Sequence, residues 1–362
     1  MAASTSQTVD VPVLFRGWME ALCSGEGLSE KEAQQAVTLI AEGAVHECQV
    51  SAFIALLRAK GESAEELSGF VKAMRQKAKP VALPASLKPD DLVDIVGTGG
   101  DGHNTVNIST SAAILAAACG VPVAKHGSVS VSSRSGSADV LQTLGIAMLE
   151  PSSIGPCIEA CGIAFMFAPL FHPAMGVVAP VRKALKMRTI FNILGPLLNP
   201  TGAQRLMLGV YSPAILDAYA SALAALGVRH ALVVHCGGLD ELAPVAEADI
   251  REIQEDGSVS SSRVDPRQWM PACDIADLQG GSPEDNAETI RAVFVGGSAA
   301  DCHVGRTIAL NAGAALYVAG RESSIQAGYE AAFAALQSGS ALKTLQAWAS
   351  TSQHLSKPSS SD

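Results

Sequence analysis

Hydrophobic positions in the first eighty residues recur at three- and four-residue steps. They run Leu14, Trp18, Leu22, then Ala33, Ala36, Val37, Ile40, then Phe53, Leu56, Leu57, then Leu67, Phe70, Val71, Met74. That period predicts four short helices between Val13 and Ala78 with no intervening strand. Ser29, ahead of Glu30, Lys31 and Glu32, reads as a helix N-cap. The stretch Lys79-Pro80-Val81-Ala82-Leu83-Pro84 reads as the linker leaving this bundle. Beyond Leu92 the pattern changes. Short continuous apolar runs at 93–96, 121–124, 164–168, 206–211 and 231–235 alternate with helical stretches at 108–119, 138–144, 154–161 and 215–226. Strands apolar on both faces, alternating with helices, predict a largely parallel sheet covered by helices. Residues 173–198 are again helical. After Asp249 the pattern predicts a hairpin turn at 255–259, a loop over 263–283, closing helices at 309–320 and 324–336, and a mobile polar tail over 350–362.

Length and composition narrow the class. The 362 residues suffice for two core-bearing units, and a hydrophobic share of 48% fits packed α/β enzymes rather than disordered chains. The net charge of −10 argues against a general nucleic-acid binder, while leaving room for local phosphate sites. No apolar run reaches the roughly 20 residues of a membrane span. The eight cysteines are scattered; only Cys157 and Cys161 are close, with no second pair to finish a zinc site. They read as free thiols in a reducing compartment, and 1–12 lacks both a secretory pattern and the basic residues of an organellar address. The expected location is the cytoplasm.

The candidate chemistry lies where strands stop. Val93-Asp94-Ile95-Val96 ends in Gly97-Thr98-Gly99-Gly100-Asp101-Gly102, followed by Thr105-Val106-Asn107-Ile108-Ser109-Thr110 at the start of a helix. A strand, a glycine turn and a helix start present backbone N–H groups to an anion. The spacing is neither a Walker loop nor a dinucleotide fingerprint, and Asp101 repels phosphate unless a cation or hydroxyl intervenes. A second loop, from Lys125 to Ser137, is rich in serine and carries Lys125 and Arg134. Two such loops suit a ligand bearing two separate phosphate groups. Asp240 and Glu241 are adjacent carboxylates after the strand at 231–235, at the end of the sheet where sites of this class form.

The paired loops, with Phe167-Ala168-Pro169, His172-Pro173-Ala174-Met175, Arg182, the run from Arg188 to Leu197 and Gly238-Leu239-Asp240-Glu241, resemble those of the anthranilate phosphoribosyltransferases. The resemblance runs in the family's order from about residue 14 to about 345. It implies a large α/β domain, 81–170 and 199–349, and a small all-helical domain built from two chain segments, 13–80 and 171–198, between tails 1–12 and 350–362. It also implies transfer of a phosphoribosyl group from phosphoribosyl pyrophosphate to anthranilate, with Mg²⁺, in tryptophan biosynthesis. The family match assigns phosphoribosyl pyrophosphate to Gly97, Gly100, Asp101, Thr105, Asn107, Ile108, Ser109, Thr110, Lys125, His126, Gly127, Ser128, Val129, Ser130, Val131, Ser132, Ser133 and Ser137. Anthranilate falls to Gly97, His126, Ser128, Pro169, His172 and Arg182, whose guanidinium suits a carboxylate. The metal falls to Ser109, Asp240 and Glu241. Relatives dimerise through the small domain, so a homodimer is expected; the two units are expected to meet across a cleft, with 79–83 and the segments around Phe171 and Leu198 as hinges.

Three positions depart from the family. Its second loop normally reads Lys-His-Gly-Asn-Arg, and here it is Lys125-His126-Gly127-Ser128-Val129; Lys186 stands where relatives often have Gly. The alternative reading is a catalytically altered paralogue that binds phosphoribosyl pyrophosphate or nucleic acid without using anthranilate. An acidic chain that keeps Asp240 and Glu241 argues against it. A pyrimidine nucleoside phosphorylase would need a lysine–serine–glycine–arginine phosphate loop, which this chain lacks.

Overall fold

The computed structural model describes residues 10–129 and 134–357. They divide into two units, one of the residues up to Ala78 with His172–Leu194, the other of Lys79–Phe171 with the chain from Gly195 onward. The chain begins with four helices, α1 (Val11–Cys23), α2 (Glu30–Ala41), α3 (Glu47–Lys60) and α4 (Ala64–Gln76). It continues through β1 (Val93–Gly97), α5 (Ile108–Ala118), β2 (Val123–Gly127), α6 (Ser137–Thr143), α7 (Pro151–Cys161), β3 (Ile163–Phe167) and the single turn α8 (Ala168–Phe171). Helices α9 (Met175–Leu185) and α10 (Ile190–Ile193) belong to the helical unit. The second unit then resumes with β4 (Arg205–Gly209), α11 (Leu216–Ala225), β5 (His230–Cys236), β6 (Ala248–Ile253), β7 (Val259–Val264), α12 (Pro283–Phe294), α13 (His303–Val318), α14 (Ile325–Gln337) and α15 (Ser340–Leu355).

An aromatic chain holds the helical unit together. Phe15 meets Trp18 and Phe53 edge-on at 5.1 and 5.3 Å, Phe53 stacks on Phe70 at 6.4 Å, and Phe70 meets Phe191 at 5.8 Å. The second chain segment thus contributes Phe191 to the core of the first, packed against Phe70 on α4. Ser29 caps α2 in a capping box with Glu32, as its position predicts. Buried Glu66 accepts hydrogen bonds from the Leu28 and Ser63 N–H groups and from Lys60 Nζ, which satisfies a carboxylate that burial would otherwise penalise.

The second unit contains a seven-stranded sheet in the order β3-β2-β1-β4-β5-β6-β7. Strands β1 to β5 are parallel, and β6 and β7 add an antiparallel hairpin whose turn lies at the expected position. The α/β class with a separate helical bundle is therefore as expected.

Four local expectations are corrected. The second strand is Val123–Gly127 rather than 121–124, which draws Lys125 and His126 out of the loop and into the sheet, opposite Phe165 and Met166. A charged pair in a buried strand reads locally as loop, because its partners lie on other strands. The 350–362 tail is helical as far as Leu355: α15 buries Ala341, Leu345, Trp348 and Ser352, a helical stripe whose last member is polar. Ser352 is held by accepting the Ala147 N–H. At the other end, the 1–12 tail already turns helical at Val11, because the Asp10 side chain accepts the Val13 N–H. The predicted helix at 173–198 is broken between α9 and α10, where Lys186 adopts a left-handed φ of 49°. Helix α12 was not predicted at all. Among the described residues no helix is long and apolar enough to cross a membrane.

Candidate active site

The strand order turns back on itself between β1 and β4, and a crevice at such a switch point is where ligands bind in open α/β sheets. The loop after β5 is inserted there. It turns tightly, with reciprocal Cys236 and Leu239 backbone hydrogen bonds, and delivers Asp240 between the ends of β1 and β4. A Cβ on Gly97 would lie 2.4 Å from Asp240 Oδ2, and one on Gly209 would lie 1.5 Å from the Asp240 carbonyl oxygen. Any side chain at either strand end would expel the carboxylate. Gly99 donates its N–H to Asp240 Oδ2 at 2.6 Å, and Ser109 donates its N–H to Glu241 Oε1 at 3.2 Å. The second contact sets a carboxylate on the N-terminus of α5, where the helix dipole favours negative charge.

Both carboxyls are buried. Burial and the neighbouring Asp101 push Asp240 up to about 7. Burial and Asp240 raise Glu241 well above the ordinary carboxylate range, with Lys125 opposing. The two buried carboxyls therefore resist ionising together. Lys125 lies beneath them. Fully buried, it donates from Nζ to the Ile95 carbonyl at 2.6 Å, and burial lowers its pKa against the pull of Asp94, Glu241 and Asp240. Its Nζ therefore lies inside the sheet, rather than in a phosphate loop.

The other expected residues of this unit that the structure describes lie on or after the strands and at the helix starts that follow them. Gly100 and Asp101 follow Gly97 in the turn, and Asp101 Oδ1 accepts the His103 N–H. Thr105 forms an isolated antiparallel bridge with Gln279. Asn107 joins the two loops: its Nδ2 donates to the Ser135 carbonyl at 3.1 Å, and its Oδ1 accepts from Ser135 Oγ at 3.2 Å. The Ile108 side chain is in the core, which leaves only its backbone for a ligand. Thr110 Oγ1 donates to Ser137 Oγ at 3.1 Å. Gly127 ends β2, Ser128 is half-buried with its carbonyl accepting the Ala138 N–H, and Val129 is exposed. Ser130, Val131, Ser132 and Ser133 lie outside the described residues. His126 is buried on β2 with Nδ1 3.1 Å from the Gly195 carbonyl oxygen, and Pro169 is exposed on α8. His172 and Arg182 belong to the helical unit: His172 is buried, and burial lowers the pKa of the Arg182 guanidinium on α9.

A family model described as the glycosyl transferase family a/b domain matches residues 89–342, and one described as its helical bundle domain matches residues 17–78. An anthranilate phosphoribosyltransferase of Haloarcula marismortui is 44% identical over 337 residues, covering 91% of this chain and 98% of its own. The chain belongs to the anthranilate phosphoribosyltransferase family. Among solved structures, the anthranilate phosphoribosyltransferase of Thermus thermophilus matches with a TM-score of 0.86 at 38% identity, over 93% of this chain and 99% of its own. The Saccharomyces cerevisiae anthranilate phosphoribosyltransferase, in complex with PRPP (phosphoribosyl pyrophosphate) and Mg, matches with a TM-score of 0.85 at 28% identity, over 95% and 99%. The yeast enzyme has also been solved with 4-fluoroanthranilate.

In this anthranilate phosphoribosyltransferase fold, several residues that support the site give no local signal in the sequence. Asn311, buried within α13, accepts the Leu242 N–H at 3.0 Å and returns a hydrogen bond to the Leu242 carbonyl at 2.7 Å. It grips the backbone immediately after Glu241. Asn199 donates to Asp94 Oδ2 and to the Ala124 carbonyl, both at 2.8 Å, and so ties β1 to β2 beneath Lys125. In the sequence each is an isolated asparagine. Only buried amides in an otherwise apolar run, such as Asn311 between Leu310 and Ala312, could have flagged them.

Proposed function

We propose that the chain transfers the 5-phosphoribosyl group of phosphoribosyl pyrophosphate to the amine of anthranilate and releases pyrophosphate. The observation that carries this reading is the buried Asp240–Glu241 pair, held by N–H groups of the glycine turn and of the α5 start. A cation-seeking pair beside an anion-seeking loop is what a metal-bound pyrophosphate requires, and this supports the reading. Family membership supports the same reading.

The chemistry needs little proton transfer. The amine nitrogen already carries the electron pair that forms the new N–C1 bond, the C1–O bond breaks with its electrons leaving on pyrophosphate, and the nitrogen then sheds one proton to pyrophosphate or water. The protein's task is to orient the two reactants and stabilise charge. Gly97 and Gly100 of the turn, with Thr105, Asn107, Ser109 and Thr110, would line the phosphate oxygens. Lys125 acts from beneath as a counter-charge that limits repulsion between the carboxylates. Arg182 would pair with the acceptor carboxylate, with His126, Ser128, Pro169 and His172 as further acceptor residues.

The donors fit Mg²⁺. Asp240, Glu241 and the Ser109 hydroxyl are hard oxygen ligands, and the raised carboxyl pKa values mark a site short of positive charge. Mg²⁺ usually keeps several waters, so one or two carboxylates suffice as protein ligands. When bound, Mg²⁺ would neutralise the leaving pyrophosphate.

The test is pyrophosphate release from phosphoribosyl pyrophosphate with and without anthranilate. Release that requires anthranilate and consumes it in equal amount is expected. Binding of phosphoribosyl pyrophosphate without anthranilate-dependent release would favour the altered paralogue. We also propose a homodimer through the helical unit, supported by the exposed Val13, Val177 and Met187 there. Sedimentation at micromolar concentration should give twice the chain mass, and a monomer would refute it.

A further inference from the structure

The segment between Leu278 and Asn286 lies far along the chain from both glycine-containing loops, yet it is hydrogen-bonded into them. Val106 donates to the Leu278 carbonyl at 2.9 Å, Gly280 donates to the Asn104 carbonyl at 2.8 Å, and Thr105 bridges Gln279. The contact is close: a Cβ on Gly280 would lie 2.8 Å from Asn286 Oδ1, from the Thr105 carbonyl oxygen and from the Val106 nitrogen. Asn286 on α12 is 2% exposed. Its Oδ1 accepts the Gly281 N–H at 2.8 Å, and its Nδ2 donates to Asn107 Oδ1 at 2.9 Å. Asn107 Nδ2 in turn donates to the Ser135 carbonyl.

This relay has its polarity set at both ends. The Gly281 N–H can only donate, so the Asn286 atom facing it must be oxygen and its other atom must be the donor. The Ser135 carbonyl can only accept, so the Asn107 atom facing it must be nitrogen. The two requirements meet at the Asn286–Asn107 contact without conflict. Asn107 is left with one N–H of known orientation for a ligand, and the first and second loops are locked together through it.

We propose that Asn286 is a positioning residue for the phosphoribosyl pyrophosphate site, acting through Asn107. The proposal rests on the function proposed above. Asn286→Asp is the informative change, because it is nearly isosteric and keeps the acceptor for Gly281. It replaces the donor to Asn107 by an oxygen, so either two oxygens face each other or the Asn107 amide turns over against the Ser135 carbonyl.

The experiment uses the full chain and measures calorimetric affinity for phosphoribosyl pyrophosphate with Mg²⁺, steady-state kinetics and thermal melting. Asn286→Asp should weaken affinity and raise KM for phosphoribosyl pyrophosphate roughly tenfold, the scale of one lost hydrogen bond with a partner left unpaired. KM for anthranilate should change by less than twofold. In an Asn107→Ala background the same substitution should add little, since coupled residues are not additive. Unchanged affinity in the folded variant, or penalties that simply add, overturns the proposal. If Asn286→Asp does not fold, Ser135→Ala removes the hydroxyl from the same Asn107 oxygen and should weaken affinity about threefold; no change there overturns it equally. A parent that binds no phosphoribosyl pyrophosphate sinks the functional reading along with it, whereas a parent that binds and variants that match it sink only the role of Asn286.

Discussion

Gly209, the last residue of β4, sits so close to Asp240 that a Cβ on it would lie 1.5 Å from the Asp240 carbonyl oxygen. The end of one strand thus sets how deeply the carboxylate loop of the next can enter. Gly209→Ala must push that backbone outward and break the Gly99 contact. We expect a loss of about 2 kcal/mol or more in stability and at least a tenfold fall in Mg²⁺-dependent turnover. Gly17→Ala, on an open face of α1, should cost neither. Thermal melts and rates on the two variants test this, and equal behaviour would refute the wedge.

Replacing both carboxylates, as Asp240→Asn with Glu241→Gln, removes the cation-seeking groups but keeps their size. The fold should persist, because burial penalises both groups as charges. Turnover at ordinary Mg²⁺ should fall by at least a hundredfold. A double variant that retains most activity would show that the metal is held elsewhere.

Asp94 gives a pH dependence of definite sign. Burial pushes it up to about 6, against partial compensation from Lys125 and from hydrogen bonds. Below about pH 4 the group is protonated both folded and unfolded, and its contribution is fully present. As pH rises from 4 to 6 the unfolded chain ionises first, so the folded state loses about 3 kcal/mol of relative stability and then levels off. In Asp94→Asn the loss is absent, so the stability gap between parent and variant should narrow or reverse across that window. Denaturant midpoints at pH 4.5, 5.5 and 6.5 measure it, and a gap independent of pH would show that Asp94 ionises normally.

Lys186 ends α9 with φ 49° and ψ 29°. A side chain in that left-handed conformation costs about 1 kcal/mol relative to glycine, which accounts for the glycine that the family resemblance leads one to expect there. Lys186→Gly should raise stability by about that amount. A fall in the melting temperature would mean that the lysine side chain makes a compensating contact.

Ser128 lies at the half-buried start of the second loop, where the family resemblance leads one to expect an asparagine. Ser128→Asn should improve kcat/KM for anthranilate by several-fold, on the scale of about 1 kcal/mol for one hydrogen bond, and leave KM for phosphoribosyl pyrophosphate nearly unchanged. Restoring arginine at Val129 as well should add to the gain if the two neighbours couple. If all three proteins bind phosphoribosyl pyrophosphate yet are inert with anthranilate, the acceptor is a different molecule.

The sequence by itself determined the periods. Three- and four-residue spacing named the helices of the bundle, and continuous apolar runs broken by glycine named the parallel strands. Both signals are local, since a helix face or a buried strand is written in consecutive residues. The glycine turn, Ser109 and the Asp240–Glu241 pair were legible for the same reason, with the order of the motifs identifying the family. The tertiary structure decided what depends on partners remote in the chain. Lys125 reads as a loop residue and becomes a buried strand residue, because the groups that act on it, Asp94 and Glu241, lie on or beyond other strands. Ser352 reads as tail and becomes buried, because Ala147 donates to it from 205 positions away. Asn286 and Asn311 are invisible as isolated amides and acquire roles only where folding sets them against Asn107 and Leu242. A hydrogen bond between distant residues leaves no period in a sequence, and in this protein such bonds hold the site in place.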